Sequence, residues 1–276
     1  MKQGKKMTKN LLQQVMLKPM EKKSFLDNAA LIAKIQSGYV VNRGPKHTQK
    51  KTFAPSTIAY GHGECPRYWY LAFEGNVFED NADAYGVANM TAGTLSHDRI
   101  QNAMMASGVA KIFVNENNEK TTEFKVLHSD PPIFGWGDVM LEWEGEEIIG
   151  EIKTMMSEGF EYRKTSGKPK SGHLIQLLIY MKIFKKAKGL LIYENKNNHE
   201  LLIFPVEVND YYRQWADNAF EWMRTVRKAW EDKTLPKKNY RSNSKICKSC
   251  PIKAACGEAG EGVLKIESLE ELSETM

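Results

Sequence analysis

The sequence predicts an α/β fold, because helical apolar patterns alternate with runs of β-branched and aromatic residues. The helical patterns occupy residues 57–73, 80–107, 171–187 and 210–231. The β-like runs occupy residues 110–114, 121–127, 133–143, 147–154, 190–194 and 200–208. A helix followed by a meander of strands is typical of an α/β protein with some antiparallel pairing.

The composition indicates one large folded region with appendages. The chain has 276 residues, of which 42% are hydrophobic and 26% are charged. That hydrophobic fraction allows a substantial core, and the charged fraction is ordinary for a soluble protein. We predict a basic helical region or linker at 1–55, the main domain at 56–256 and an acidic tail at 257–276.

The two ends differ in charge and carry weaker signals. Near the start, helical patterns at 8–17 and 21–37 precede a basic loop at 42–51. That loop suits either a phosphate backbone or a plain linker. Near the end, 237–256 is basic and loop-like, and the acidic tail predicts a solvated or frayed helix.

The net charge and the lack of targeting signals suggest where the protein works. A net charge of +5 is compatible with a nucleic-acid partner. No apolar run has the length that spans a bilayer, and the basic start has no apolar signal core. We therefore expect a cytoplasmic protein of a bacterial or phage-infected cell, with no membrane partner.

A predicted hairpin places charges within an apolar context. Asp138 interrupts the run at 133–143, and Glu151 and Lys153 interrupt the run at 147–154. Residues two apart on a strand share a face, and a hairpin would bring Asp138 across to them. A solvated charged face is the simpler interpretation, but isoleucines surround these residues, and buried charges need partners. The pattern favours a site for a metal ion and water.

Three further polar groups stand out on other elements. His97 lies within the helical pattern at 80–107, where a core or surface role is the default. Gln176 and Tyr180 are one helical turn apart and share a face. The basic stretch at 154–170 suits a phosphate backbone or plain solvated surface, and its candidate DNA-binding residues are Arg163, Lys164, Lys168 and Lys170.

The four cysteines form one candidate ligand set. Cys247, Cys250 and Cys256 are spaced C-x2-C-x5-C, and Cys65 lies far upstream. A lone cysteine with a compact trio suits an iron–sulfur cluster better than a structural zinc site, although zinc and unliganded thiols stay open. A [4Fe–4S] cluster would join the two ends of the domain, with Arg67 in a basic rim that we include among the DNA-binding candidates.

The order of these motifs resembles a known family. The chain carries C-P-R-x-(aromatic), G-T-x-x-H, G-x-x-D, G-E-x-K, Q-x-x-x-Y and C-x2-C-x5-C in that order. Together they are similar to the iron–sulfur branch of the RecB-like PD-(D/E)XK exonucleases. That branch includes CRISPR-associated RecB-like exonucleases, the AddB nuclease domain and phage homologues. The similarity covers residues 56–256, with Gly137 in place of the proline of the P-D dipeptide.

The resemblance implies a fold and a set of roles. The fold would be a restriction-endonuclease-like core, a mixed central sheet flanked by helices, with a helical region that bears the cluster. His97, Asp138, Glu151 and the Ile152 carbonyl would hold Mg²⁺ or Mn²⁺, for which hard oxygen ligands and one imidazole are suited. Lys153 would act on the attacking water and the phosphate. The motif pair Gln176 and Tyr180 would position the lysine region or the DNA.

The function that follows is a metal-dependent DNA exonuclease that acts on single-stranded ends in recombination, repair or phage DNA processing, with a recombination protein as a candidate partner. A trimming nuclease of CRISPR adaptation, working with an integrase partner, is an alternative within the same chemistry. A non-catalytic, cluster-bearing DNA-binding subunit and a zinc-stapled interaction module are alternatives of other classes. Polarity, end preference, endonuclease activity and oligomeric state are left open by these residues.

Overall fold

The computed structural model describes residues 27–41, 49–80 and 82–272, and the chain divides into two units, 1–43 and 44–276. In the first unit, helix α1 (Asn28–Val41) begins after Asp27, whose Oδ1 accepts a hydrogen bond from the Ala30 amide at 3.0 Å. The helix predicted at 21–37 therefore extends further along the chain than expected. The helix predicted at 8–17 and most of the basic loop lie outside the described residues.

The second unit begins with three short helical segments where one helix was predicted at 57–73. They are α2 (Pro55–Ile58), a 3-10 turn (Gly61–Glu64) and α3 (Pro66–Phe73). Proline has no amide hydrogen to donate to a preceding helical turn, whereas the first position of a helix needs no such donor. Pro66 therefore begins a new helix. A Cβ on Gly63 would lie 1.9 Å from the Thr57 carbonyl oxygen, so this close approach requires glycine.

Helix α4 (Ala84–Ser107) carries His97 and is capped at both ends. The Asp83 side chain accepts a hydrogen bond from the Gly86 amide at 2.7 Å, which starts the helix four residues later than the predicted residue 80. Gly108 ends it in the left-handed conformation, with a φ of 76°.

The strands form a four-stranded mixed sheet and two small antiparallel pairs, β1–β2 and β3–β4. In the central sheet, of order β5-β6-β7-β8, only the β6–β7 pair is parallel. The strands are β1 (Phe113–Val114), β2 (Lys120–Thr121), β3 (Phe124–His128), β4 (Ile133–Gly137), β5 (Val139–Trp143), β6 (Glu146–Met155), β7 (Lys188–Asn195) and β8 (Leu201–Glu207).

The predicted hairpin forms, but its first strand is divided at Asp138. The β5–β6 turn is present, with Glu144 and Gly145 both at positive φ. The run predicted at 133–143 is not one strand, because β4 pairs with β3 whereas β5 pairs with β6. Asp138 therefore lies at the junction of two sheets, and its backbone belongs to neither strand ladder.

Helices cover both faces of the central sheet. On one face, Ile100 of α4 packs with Ile152 and Ile192. On the other, helix α6 (Ser171–Phe184) approaches Gly189 closely, since a Cβ there would meet the Met181 sulfur at 2.6 Å. The prediction of a mixed central sheet flanked by helices is confirmed.

Two segments predicted as loops are helical. Helix α5 (Ser157–Ser166) occupies much of 154–170, because Phe160 is fully buried and anchors it. Within 237–256, helices α8 (Lys245–Ser249) and α9 (Lys253–Glu258) carry cysteines. These short helices contain too few apolar residues to show a helical period in the sequence.

The C-terminal segment is packed rather than solvated, which corrects the expectation of a frayed tail. Three apolar residues of it are buried in the main core, Ile266, Leu269 and Leu272. Two tryptophans of helix α7 (Asp210–Glu231) donate indole hydrogen bonds to carbonyls of Glu267 and Glu270. Over the described ranges, none of the helices combines the length and apolar character needed to cross a membrane.

Candidate active site and cysteine cavity

Asp138 is fixed by hydrogen bonds to its backbone and its side chain. Its carbonyl accepts from the Gln101 side-chain amide and the Thr122 hydroxyl, each at 2.8 Å. Its Oδ2 accepts from the Ile152 amide at 2.7 Å. Asp138 is thereby held against β6, beside the residues that the sequence predicted as its partners.

His97 reaches this junction from α4. Its Nδ1 lies 3.5 Å from Asp138 Oδ1, and its side chain is 23% exposed. Ile100, one turn further along α4, is buried in the sheet and fixes which face of the helix meets the strands. The structure thus brings the predicted histidine and the predicted aspartate together.

Glu151 and Lys153 lie on the α6 face of β6 and form an ion pair through Glu151 Oε1. The Glu151 side chain is fully buried, and its Oε2 accepts no hydrogen bond from the described residues. Burial, and then the nearby Asp138 carboxylate, raise the pKa of Glu151. Burial disfavours the Lys153 ammonium, but the charges of Glu151 and Asp138 outweigh it and raise its pKa.

These groups can act together on a phosphate and on water. Two carboxylates and an imidazole are suited to a hard divalent cation, and the single lysine leaves one buried carboxylate oxygen without a partner. A cation bound here would give that buried oxygen a partner, so these donors fit a divalent cation. As the side chains stand in the described residues, no group of three or more His, Cys, Asp or Glu is arranged to hold a metal ion.

Gln176 and Tyr180 support the site from α6. The Gln176 amide donates to the Tyr180 hydroxyl at 2.9 Å, and that hydroxyl donates to the Trp136 carbonyl at 2.8 Å. Their contact is therefore with the strand that leads into Asp138. Both side chains are buried, and their role in positioning the lysine region or the DNA stays a prediction.

A second buried carboxylate, Glu194 of β7, was not predicted. Its side chain is fully buried, and its Oε1 pairs with Arg99 of α4 and lies 3.0 Å from His199 Nδ1. Burial favours the neutral acid, but the hydrogen bonds from Arg99 and His199 outweigh it and lower the pKa of Glu194. Arg99 follows His97 by two residues, so this pair ties the histidine turn of α4 to β7.

Glu123 was also missed, although it lies beside the site. Burial raises its pKa, and the Asp138 carboxylate raises it further. The β3–β4 register pairs Phe124 with Gly137, so the next residues along the two strands are Glu123 and Asp138. The sequence carried a signal that Glu194 is buried, because this residue ends the apolar run at 190–194. It carried no such signal for Glu123.

The structure brings the four cysteines together around one cavity of about 140 Å³. All four are free thiols. Burial raises the pKa of Cys65 to about 11 and that of Cys250 to about 12. Thiols with such pKa values stay protonated near neutral pH unless a metal binds them. The metal centre at this cavity stays a prediction.

Arg67 is buried inside this region, which corrects its assignment as a DNA-binding residue of an exposed rim. It is 1% exposed, and its Nε donates to Cys256 Sγ at 3.2 Å. Its other nitrogens donate to main-chain carbonyls of Pro236, Cys256, Gly260 and Glu261. A guanidinium that is saturated by carbonyls in the interior has no surface to offer a phosphate.

The remaining basic candidates lie on or after α5. Lys164 Nζ lies 2.6 Å from Glu200 Oε1, and Arg163 donates to the Pro169 carbonyl at 3.2 Å. The Lys170 amide donates to the Tyr193 hydroxyl, and Lys168 is half-buried in the same turn. Their contact with DNA stays a prediction.

Comparison with known proteins finds distant structural similarity and no sequence match. The sequence matches no protein-family model and no curated protein sequence. A crystal structure of LHK-Exo in complex with dAMP has 13% identity and a TM-score of 0.48, over 66% of this chain and 89% of that one. The alkaline exonuclease LHK-Exo from Laribacter hongkongensis, in another crystal structure, has 12% identity and a TM-score of 0.47, over 66% and 91%.

A third structure, SSO0001, has 16% identity and a TM-score of 0.40, over 83% of this chain and 95% of that one. All three TM-scores are below 0.5. The function proposed below is therefore based on this chain's own residues.

Proposed function

We propose that the chain is a metal-dependent DNA exonuclease that hydrolyses phosphodiester bonds at single-stranded ends. The observation that carries the proposal is the cluster of His97, Asp138, Glu151 and Lys153, of which Glu151 is fully buried. Its Glu151 has one oxygen that accepts no hydrogen bond from the described residues. A protein that used these residues only for stability would gain more from apolar side chains at the same positions.

The residues that would hold the cation are His97, Asp138, Glu151 and the Ile152 carbonyl. Mg²⁺ or Mn²⁺ bound there would supply a Lewis acid beside the scissile phosphate. Asp138 needs no reorganisation to present an oxygen, since Oδ2 is already fixed by the Ile152 amide. Preorganised ligands of this kind lower the cost of binding a charged substrate.

Lys153 would act on the water and the phosphate. Its Nζ contacts Glu151, so it lies half-buried on a strand beside the carboxylates. From there Lys153 would orient the attacking water and offset charge on the phosphate. It would take part in deprotonating the water once a bound cation offsets the carboxylate charges that raise its pKa. Gln176 and Tyr180 would act indirectly, by holding the backbone that precedes Asp138.

The cysteine cavity would have a structural role in the same protein. Cys65 precedes α3, whereas Cys247, Cys250 and Cys256 lie on or beside α8 and α9. A [4Fe–4S] cluster held by these thiolates would join the start and the end of the second unit. Zinc is the alternative metal, and the two are distinguished by the visible absorbance of anaerobically purified protein.

The experiment that tests the function is a nuclease assay on end-labelled single- and double-stranded DNA, with Mn²⁺ and with EDTA. We expect wild-type protein to shorten single strands in Mn²⁺ and not in EDTA. Lys153→Ala should lose at least about 100-fold in rate while keeping its fold, because a positioned proton-transfer group contributes about that much.

Lys228→Ala is the matched control, since that lysine is 74% exposed on α7 and pairs with Asp232 in the next turn. It should retain full activity. Equal degradation of DNA by wild type and Lys153→Ala would contradict the site. DNA binding without any degradation would instead identify a cluster-bearing binding subunit.

A further inference from the structure

The outer face of the β3–β4 hairpin carries four side chains that the proposed chemistry does not use. We name it the aromatic face, and it consists of Lys125, Leu127, Phe134 and Trp136. Lys125 is registered opposite Trp136, and Leu127 opposite Phe134. Directly opposed residues, and residues two apart on a strand, point to the same side of a sheet, so all four share one face.

The aromatic face is exposed, which is unusual for such large apolar groups side by side. Phe134 is 39% exposed, Trp136 is 41% exposed and Leu127 is 62% exposed. The two rings lie 6.1 Å apart at 77°, and Lys125 Nζ lies 5.5 Å from the centre of the Trp136 ring. The patch thus combines two adjacent exposed rings with a cation over one of them. Such a patch is suited to a ligand that has both π-faces and negative charge.

The strand beneath the patch is rigid. The Trp136 carbonyl accepts from the Tyr180 hydroxyl, and the Phe134 amide donates to the Phe53 carbonyl at 3.0 Å. A Cβ on Gly137 would lie 2.2 Å from the Phe124 ring, so the backbone there is packed directly on a buried side chain. The exposed rings therefore stand on a fixed support and lose little freedom when a ligand stacks on them.

The patch borders a groove that lies beside the candidate active site. Phe134, Trp136 and Asp138 follow one another at two-residue steps, and Trp136 lines an open groove of about 670 Å³ that also contains Glu123. Three lysines line the same groove, Lys111, Lys125 and Lys186, and so do their ion-pair partners Glu147 and Glu116. Glu123 lies close enough to Asp138 to be affected by its charge, so a ligand that lay along the aromatic face and this groove would end beside that carboxylate.

We propose that the aromatic face is a stacking platform for the bases of single-stranded DNA, which directs the strand toward Asp138. The proposal rests on the proposed function and adds to it the surface that would select unpaired bases. Bases in a duplex are already stacked on one another, whereas unpaired bases offer π-faces to Trp136 and Phe134. Lys125 Nζ lies 2.6 Å from Glu116 Oε1, and it would exchange this exposed partner for the adjacent backbone phosphate.

The test measures binding in EDTA, so that cleavage plays no part. Labelled oligothymidylate is compared with an abasic oligonucleotide of equal length, which keeps the phosphates and lacks the bases. Wild-type protein should bind oligothymidylate more tightly than the abasic strand. Trp136→Ala should weaken oligothymidylate binding roughly ten-fold and leave abasic binding unchanged, because base stacking on an aromatic ring contributes about that much.

Two variants keep the test decisive. Trp136→Phe retains a π-face and should preserve most of the preference for bases, which a mere loss of folding in Trp136→Ala would not explain. Trp143→Ala removes a tryptophan that is 56% exposed at the far end of β5 and should bind as wild type does.

Equal affinity of wild type and Trp136→Ala for oligothymidylate would overturn the platform, even if the nuclease assay showed normal cleavage. Dimerisation that Trp136→Ala abolished, with DNA binding unchanged, would also overturn it and assign the face to a second copy of the chain. Base-dependent binding that Trp136→Ala removed in a protein without nuclease activity would support the platform and contradict the proposed function alone.

Discussion

A histidine beside the β6–β7 strand pair contributes to the pH dependence of stability. His173 of α6 lies 3.1 Å from the Tyr193 hydroxyl through its Nδ1. Burial, and then the nearby Lys153, lower the pKa of His173 to about 3. The folded protein therefore holds this imidazole in its neutral form across most of the acidic range.

The sign of the resulting pH dependence follows from that shift. Below about pH 6.5 the unfolded chain binds a proton at His173, and the folded chain does not until about pH 3. Stability should fall by roughly 1 kcal/mol per pH unit as the pH drops through this window. Denaturant unfolding at pH 7 and pH 5 should show a smaller loss for His173→Gln than for wild type. Identical losses in both proteins would contradict the burial of a neutral His173.

Between elements, the structure depends on a few long-range polar ties that hold predicted strands and helices in place. Glu194 of β7 pairs with Arg99 of α4, and the pair lies next to the turn that carries His97. Tyr180 of α6 holds the end of β4 in a similar way, on the other side of Asp138. Both ties act on backbone that presents a candidate metal ligand.

Glu194→Gln should loosen the tie between α4 and β7. We expect a loss of roughly 1–3 kcal/mol in stability, because the acid is buried but Arg99 is half exposed. The concentration of Mn²⁺ needed for half-maximal nuclease activity should rise, while the rate at saturating Mn²⁺ changes little. Asp217→Asn, which removes an exposed partner of Lys182, should alter neither quantity. An unchanged Mn²⁺ requirement in Glu194→Gln would show that Glu194 does not position His97.

The elements that the sequence predicted well are those with a long periodic signal. Helices α4, α6 and α7 were each visible as apolar patterns of more than ten residues, and the central strands were visible as shorter β-rich runs. The break of the first hairpin strand at Asp138 did carry a local signal, because glycine and aspartate are both disfavoured in strands, but the β-favouring residues on either side outweighed it. Gly63 and Pro66 did indicate that the helix predicted at 57–73 is broken. The continuous apolar pattern across those residues outweighed that signal in the prediction.

At the scale of the second unit, Arg67 joins segments that are far apart in sequence. It connects α3 to carbonyls of Pro236, Gly260 and Glu261 and donates to the Cys256 sulfur. No local pattern predicts such a role, because its partners lie about 170 or more residues further along the chain. For the same reason the packed C-terminal segment was taken for a solvated tail.

Arg67→Lys keeps the charge but loses the planar set of donors, so several carbonyls would lose their partner. We expect a loss of at least about 3 kcal/mol in stability, since each unmet buried hydrogen bond costs about 1–3 kcal/mol. Metal content of the purified variant should fall with it, as measured by elemental analysis. Arg241→Lys, on the exposed segment before α8, is the control and should keep both. Normal stability and metal content in Arg67→Lys would contradict the role of Arg67 in joining the ends.

The proposed nuclease activity depends on whether the buried carboxylates bind a divalent cation. Its most direct test is a titration of EDTA-treated, dialysed protein with Mn²⁺, in which free Mn²⁺ is followed by electron paramagnetic resonance. Wild type should bind Mn²⁺, and Glu151→Gln should bind it at least about ten-fold more weakly, because it removes one charged ligand. Glu142→Gln, an exposed acid on the same hairpin, should bind as wild type does. Equal Mn²⁺ affinity of wild type and Glu151→Gln would contradict the metal site on which the proposed nuclease depends.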